Sequence, residues 1–281
     1  VDFMLETNNL KFKNIIHIAK KAALSNTNIL ILGESGVGKE VLARYIHNHS
    51  NRRKGVFMAV NCHAFSHSIL ESELFGHEKG AFTGAHYRRK GKFEMADGGT
   101  IFLDEIGTVS TKMQIEMLRV IETKTFNRVG GNEHIKSDFR VVAATNEPLE
   151  DLVKDGRFRE DLYYRLNVFT IFIPPLRERT SDIPVLAYYF LNRFASSMNK
   201  PIKNISPEAM EFLTKYNWPG NVRELENAIE RAVVVGKGDT IKVDDLPFHV
   251  SPINGFIDDG NKSLSNIERQ HIYNVLIDNN W

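Results

Sequence analysis

The residues Gly33-Glu34-Ser35-Gly36-Val37-Gly38-Lys39-Glu40 have the composition of a phosphate-binding loop. Glycines let backbone N–H groups turn inward around phosphate oxygens, and a helix N-terminus adds partial positive charge to the full charge of Lys39. The flanks agree. Residues 28–32 are a short apolar run of strand type, and residues 41–49 read as a helix. A glycine-rich turn without a ligand is the plain alternative, and the strand and helix on either side weigh against it. Glu40 is unusual, because a generic loop has Ser or Thr after the lysine to hold Mg2+. A second set is Asp104-Glu105, which ends the apolar run Ile101-Phe102-Leu103. There an Asp can organise Mg2+ through water and the next acid can polarise an attacking water. Alone such a pair is common; downstream of a phosphate loop it is a strong signal.

Other residues join these candidates. Asn146, after the apolar stretch 138–144, would lie beside Asp104 and could sense a γ-phosphate, or simply turn the chain. Arg159 and Arg165 are six apart, on neighbouring faces of one helix, and arginine's planar fork suits phosphate. By themselves they read as surface arginines paired with Glu160 and Asp161. Residues 76–91 break the rhythm with four glycines and the basic run Arg88-Arg89-Lys90. In the middle, Gly80-Ala81-Phe82-Thr83-Gly84-Ala85 sets an aromatic among small residues, which suits a functional loop; the alternative is that Phe82 folds back into the core.

These groups need a scaffold, and 281 residues suffice for one large or two medium domains. A hydrophobic content of 42% and a charged content of 25% are those of an ordinary globular protein. No apolar run approaches a membrane span and no secretory start is present. The net charge of +1 gives no global field for nucleic acid. Cys62 is single, so no internal disulfide forms, and a cytoplasmic location is expected. His63 and His67 lack a third metal ligand, and His77-Glu78 lacks the second histidine of a zinc-protease helix.

Periodicity predicts a helix over 10–25, with Asn9 as a possible cap, strands over 28–32, 56–60, 138–144 and 168–173, and within 98–105 a strand that ends in the two acids. Helices are expected over 66–75, with a Ser cap, and 111–124, and a hairpin over 126–135 about Gly130-Gly131-Asn132. After Pro174-Pro175 the chain reads as helical over 183–198, 206–216 and 222–235. Residues 236–259 are turn-rich, and 265–278 read as one more helix.

Taken together, Gly33 to Glu40, Glu73-Leu74-Phe75-Gly76, Gly80 to Ala85, Gly98 to Glu105, residues 158–166, Pro174-Pro175-Leu176-Arg177-Glu178-Arg179 and Trp218-Pro219-Gly220-Asn221-Val222-Arg223-Glu224-Leu225 closely resemble the central AAA+ ATPase domain of the bacterial enhancer-binding proteins, the NtrC-like activators of sigma-54 RNA polymerase. The similarity runs over about 10–250, and the hexapeptide 80–85 is its most specific piece. Glu40 after the lysine is normal in that family. The resemblance implies an α/β fold: an AAA+ P-loop parallel sheet between helices over 1–174, an all-α lid over 175–250, and over 251–281 a linker and the start of a helix-turn-helix DNA-binding domain. It implies ATP and Mg2+ as cofactors. Lys39 would contact the β/γ-phosphates, Asp104 would organise Mg2+ and Glu105 would activate water. Asn61 would hold Glu105 as a switch, Asn146 would sense the γ-phosphate, and Arg223 would sense nucleotide within its own subunit. Arg159 and Arg165 would reach the nucleotide of the next subunit in a homo-oligomeric ring, usually a hexamer. Gly80 to Ala85 would touch sigma-54, with 127–133 as a second pore loop. Promoter or enhancer DNA would be a partner through the C-terminal part, and an upstream sensory domain is expected.

Two departures stand out. Leu5-Glu6-Thr7-Asn8 replaces the usual turn at the adenine pocket, and Val37 stands where Thr is common. Two rivals remain: a protease-associated unfoldase, whose pore loop would carry a different aromatic motif, and a DNA-binding repressor that uses ATP only to assemble.

Overall fold

The computed structural model describes residues 5–247. The first helix, α1 (Leu10–Ala23), is fixed at both ends. Asn9 Oδ1 accepts from Phe12 N at 3.0 Å, as expected of a cap. At the other end the buried Arg140 guanidinium donates to Ala22 O and Ala23 O, each at 2.8 Å, and to Thr27 O at 3.2 Å. Two carbonyls at the end of α1 and one in the turn before β1 are thereby satisfied by one cation, which also suits the helix dipole.

Next come β1 (Ile29–Leu32), α2 (Lys39–Asn48), β2 (Phe57–Asn61) and α3 (His67–Phe75). A short antiparallel pair, β3 (Gly76–His77) and β4 (Arg89–Lys90), leads to α4 (Lys92–Met95), β5 (Thr100–Asp104) and α5 (Thr111–Thr123). The hairpin β6 (Thr125–Phe126) and β7 (Ile135–Lys136) precedes β8 (Arg140–Thr145), α6 (Leu149–Lys154), α7 (Glu160–Leu166) and β9 (Phe169–Phe172).

β2, β5, β8, β1 and β9 form, in that order, one five-stranded sheet whose pairs are all parallel. Its strands serve two cores. Leu30, Ile101, Leu103, Val141 and Ala143 pack in a layer with α3, α5 and α7, whereas Ile29, Ile31, Phe102, Val142 and Ala144 pack in the other with α1 and α2. This is why the strands read as unbroken apolar runs: alternate side chains face opposite helical layers.

Beyond Ile173 the chain is helical, with α8 (Ile183–Ser197), α9 (Pro207–Lys215) and α10 (Asn221–Val235). Ser206 caps α9 through Ala209 N at 3.2 Å. The break before α10 is built on Trp218, fully buried and donating from Nε1 to Leu213 O at 2.8 Å. Two features differ from the periodicity. β10 (Asn204–Ile205) and β11 (Thr240–Ile241) pair in parallel, the second within a stretch that reads as turn-rich and the first between two predicted helices. Ser66 stands at the cap of α3 but its hydroxyl makes no capping bond. The expected helix over 265–278 and the start of a helix-turn-helix lie outside the described residues.

Candidate active site

The parallel strands bring three chain segments to one edge of the sheet. β1 delivers the loop 33–38, with Lys39 opening α2; β5 delivers Asp104 and Glu105; β2, paired in register with β5, sets Asn61 opposite Asp104. A cavity of about 270 Å³ is lined by Ser35, Gly36, Gly38, Lys39, Glu40, Val41, Asp104, Glu105, Val222, Arg223 and Glu226. Loop, acid pair and lid arginine thus meet, as the motifs implied.

Lys39 is buried, and its Nζ donates to Gly33 O at 3.0 Å and Glu34 O at 3.3 Å. It lies 3.8 Å from Glu105 Oε1. Burial lowers its pKa, opposed by the negative charge of Glu105 and Asp104. Burial first, and Glu105 second, push the Asp104 carboxyl above its ordinary range. Two adjacent carboxylates with one lysine leave net negative charge, a setting a divalent cation would relieve. Glu105 occupies the left-handed region at φ 55°, and its N–H donates to Asp104 Oδ1 at 3.0 Å. A non-glycine residue held there, itself one of the two adjacent acids, fits the strain found at functional sites.

The other candidates lie at varying distances from this cleft. Asn61 Oδ1 accepts from His63 N at 2.9 Å and Ala64 N at 3.1 Å, capping the turn after β2; its side chain is not bonded to Glu105. Asn146, one residue past β8, is exposed and outside the cavity lining. Arg159 caps α7 rather than sharing it with Arg165, and forks onto Asp161 at 3.0 and 2.6 Å. Arg165 is exposed, and neither arginine lines the cavity. Glu40 accepts from Arg44 at 2.7 Å on the helix surface. Among the phosphate-loop glycines, Gly36, at φ +77°, carries the closest approach: a Cβ there would lie 2.3 Å from Gly220 O. The Glu34 side chain is bonded to the lid and does not line the cavity.

Residues 5–8 line a second cavity of about 430 Å³ with Lys13, Ile16 and Val185. They are pinned by Asp182, which accepts from Thr7 Oγ1 and Asn8 N at 2.7 Å. Nearby, Arg179 donates to Val37 O at 2.9 Å and lies over the Phe12 ring at 4.5 Å.

The loop 76–91 stands on the β3–β4 ladder. Inside it, Gly80 N donates to Ala85 O at 2.8 Å and Ala85 N to Phe82 O at 3.0 Å, closing the hexapeptide on itself. Phe82 is 47% exposed, with its ring edge-on to His77 at 5.0 Å between centroids; His77 Nδ1 is 2.7 Å from Ser72 Oγ. The hairpin between β6 and β7 is bonded to the loop base: Glu78 N donates to Val129 O, and Val129 N to Gly76 O, each at 3.0 Å. Buried Arg128 binds Glu78 at 2.8 Å, Glu94 at 2.8 Å and Glu133 at 3.0 Å. The sequence gives no individual role to Arg128, Arg177, Arg179, Asp182 and Asn221, although all but Asp182 fall within the family-like motifs or the loop 127–133.

A phosphate loop on a five-stranded parallel sheet, an acid pair ending the strand one removed from it and a lid helix closing the cleft define a P-loop domain of the AAA+ class. Residues 5–172 match the family described as the Sigma-54 interaction domain, and residues 177–255 match the AAA+ ATPase lid domain. The chain belongs to the sigma-54 interaction domain family. It is 52% identical over 241 residues to the regulatory protein AtoC of Escherichia coli (strain K12), covering 86% of this chain and 52% of that protein. It is 53% identical over 229 residues to the transcriptional regulatory protein ZraR of Klebsiella oxytoca, covering 82% and 52%. The crystal structure of NtrX from Brucella abortus in complex with ADP superposes with a TM-score of 0.80 at 36% identity, covering 86% and 54%. The chain spans about half the length of the relatives it matches. Family membership sets aside the protease-associated unfoldase. Among the described residues no helix is long and apolar enough to cross a membrane.

Proposed function

We propose that this chain binds and hydrolyses ATP and uses the cycle to remodel the closed promoter complex of sigma-54 RNA polymerase. The observation that carries this is the hexapeptide 80–85: it is held out on a short ladder with Phe82 half exposed, in a chain of the sigma-54 interaction family. The cleft supports the chemistry, and ADP in the related NtrX structure supports the nucleotide. Lys39 binds the β/γ-phosphates. The residues that would hold Mg2+ are Asp104, through water, with Glu105 beside it, and their excess negative charge fits a divalent cation. When bound, the ion neutralises charge on phosphate oxygens. Glu105 accepts the proton of the attacking water, with Asn61 gating its position; Arg223 and Asn146 read the nucleotide state. Arg159 and Arg165 complete the site of a neighbouring subunit in a ring, usually a hexamer, in the cytoplasm. Residues 1–174 then act as the ATPase part and 175–250 as the lid. Promoter or enhancer DNA is bound through a C-terminal domain that begins within 251–281.

The test is binding of purified sigma-54 with and without a transition-state analogue of ATP. Wild type should bind only with the analogue, and Thr83→Ala should lose that binding while its basal ATPase stays near normal. Equal binding by both proteins would remove the loop from the partner interface. The repressor reading predicts no analogue-dependent binding at all.

A further inference from the structure

The tip of the phosphate loop is bonded to the lid by side chains that the proposed catalytic steps do not use. Glu34 receives both arms of Arg177: Nη2 to Oε1 at 2.5 Å and Nη1 to Oε2 at 2.8 Å. Asn221 adds a second tie, its Nδ2 donating to Glu34 Oε2 at 3.1 Å and to Ser35 O at 2.9 Å. The Asn221 Oδ1 accepts from Leu176 N at 2.8 Å, so one buried amide bridges the loop and two separate segments of the lid. Val222 N and Arg223 N then donate to Gly36 O at 3.0 and 3.3 Å. Residues 34–36 are thus gripped both where the lid begins, at 176–177, and where α10 begins.

A loop that wraps phosphates must loosen for product to leave, and such loosening often limits turnover. Here the loop cannot shift against the lid without opening the Glu34–Arg177 fork. We infer that Glu34 is a positioning residue that latches the phosphate loop to the lid and sets the rate at which the nucleoside diphosphate leaves. This rests on reading the cleft as a nucleotide site. An exposed ion pair alone would contribute little, and Glu34 and Arg177 are 40% and 43% exposed. The two-armed geometry and the buried Asn221 amide are what raise this pair above an ordinary surface contact. The Arg177 fork first, and Asn221 second, hold the Glu34 carboxyl down at about 2, so the carboxylate is charged and the latch made at neutral pH.

The experiment is stopped-flow release of a fluorescent ADP from the full chain, comparing wild type, Glu34→Gln, Arg177→Met, the double variant and Lys39→Ala. Both side chains are partly exposed, so the variants should fold, and melting of the nucleotide-free proteins checks this. Each single latch variant should release the nucleotide roughly 5–10-fold faster, the scale of losing one charge-assisted contact. The double variant should be no faster than the faster single, because both changes remove one interaction. KM for ATP should rise without a proportional fall in kcat. Release within twofold of wild type in the singles, or a double effect equal to the product of the two, overturns the latch. If Lys39→Ala still binds the probe as tightly as wild type, the nucleotide-site reading fails, and the latch with it.

Discussion

Lys39 and Glu105 face each other across the cleft, 3.8 Å apart, and their removal should separate binding from chemistry. Glu105→Gln should bind a fluorescent ATP analogue yet turn over at least ~100-fold more slowly, the scale of a lost general base. Lys39→Ala should weaken binding itself, since it removes the full positive charge of the loop. Steady-state turnover of Glu105→Gln within a few-fold of wild type would contradict the assignment. A second residue carries a pH signature. Lys124 donates to Phe139 O at 2.8 Å and lies 3.9 Å from the Phe139 ring centroid, and burial lowers its pKa from 10.5 to about 8. Between pH 8 and 10.5 the folded chain has shed a proton that the unfolded chain keeps, so the contribution of Lys124 to stability rises with pH there and is flat below. Melting curves of wild type against Lys124→Met should diverge across that window in favour of wild type. The cleft residues are legible in the sequence because their chemistry is written in contiguous motifs. The tie of Arg177 and Asn221 to Glu34 is not, because that glutamate lies 143 and 187 positions away.

The elements are legible where their period is long enough to read. Four of the five sheet strands show apolar runs, with Thr170 interrupting β9, and α1 and α10 show clear stripes, so their placement needs only the 3.6-residue and two-layer patterns. β10 and β11 have two residues each and carry no period; tertiary pairing alone makes them strands. The loop 76–91 is recognisable as irregular, but its seat is not. The bonds to Val129 and the Arg128–Glu78 ion pair bind it to the β6–β7 hairpin, while Glu94 ties Arg128 to α4. Within that unit Phe82 meets His77 edge-on and is half open to solvent. Truncation to Phe82→Ala should therefore cost less than about 1.5 kcal/mol, against the roughly 3–5 kcal/mol typical of a buried ring. Chemical denaturation would settle it: a loss near ~3 kcal/mol would mean that Phe82 is packed as core.

At the scale of the whole molecule, Arg159 and Arg165 stand outside the cleft of their own chain, which is why catalysis is proposed to be shared between subunits. An arginine reaching in from a neighbour can be worth about 10³–10⁵ in rate. ATPase per subunit should accordingly rise with protein concentration, and mixing Arg165→Ala with Lys39→Ala chains should restore part of the activity that each lacks. Constant specific activity across dilution, with no rescue on mixing, would count against shared sites. The strand order has a different consequence, for the chain as it leaves the ribosome. β1 is made early, yet both its neighbours, β8 and β9, come much later in the chain, and the carbonyl of Gly36 is met only by Val222 and Arg223 among the described residues. Such late, non-local pairing is slow to assemble and leaves strand edges open in the meantime. A nascent chain therefore has no finished nucleotide pocket until nearly all of the lid has been translated. Until β8 and β9 are made, both edges of β1 stay unpaired.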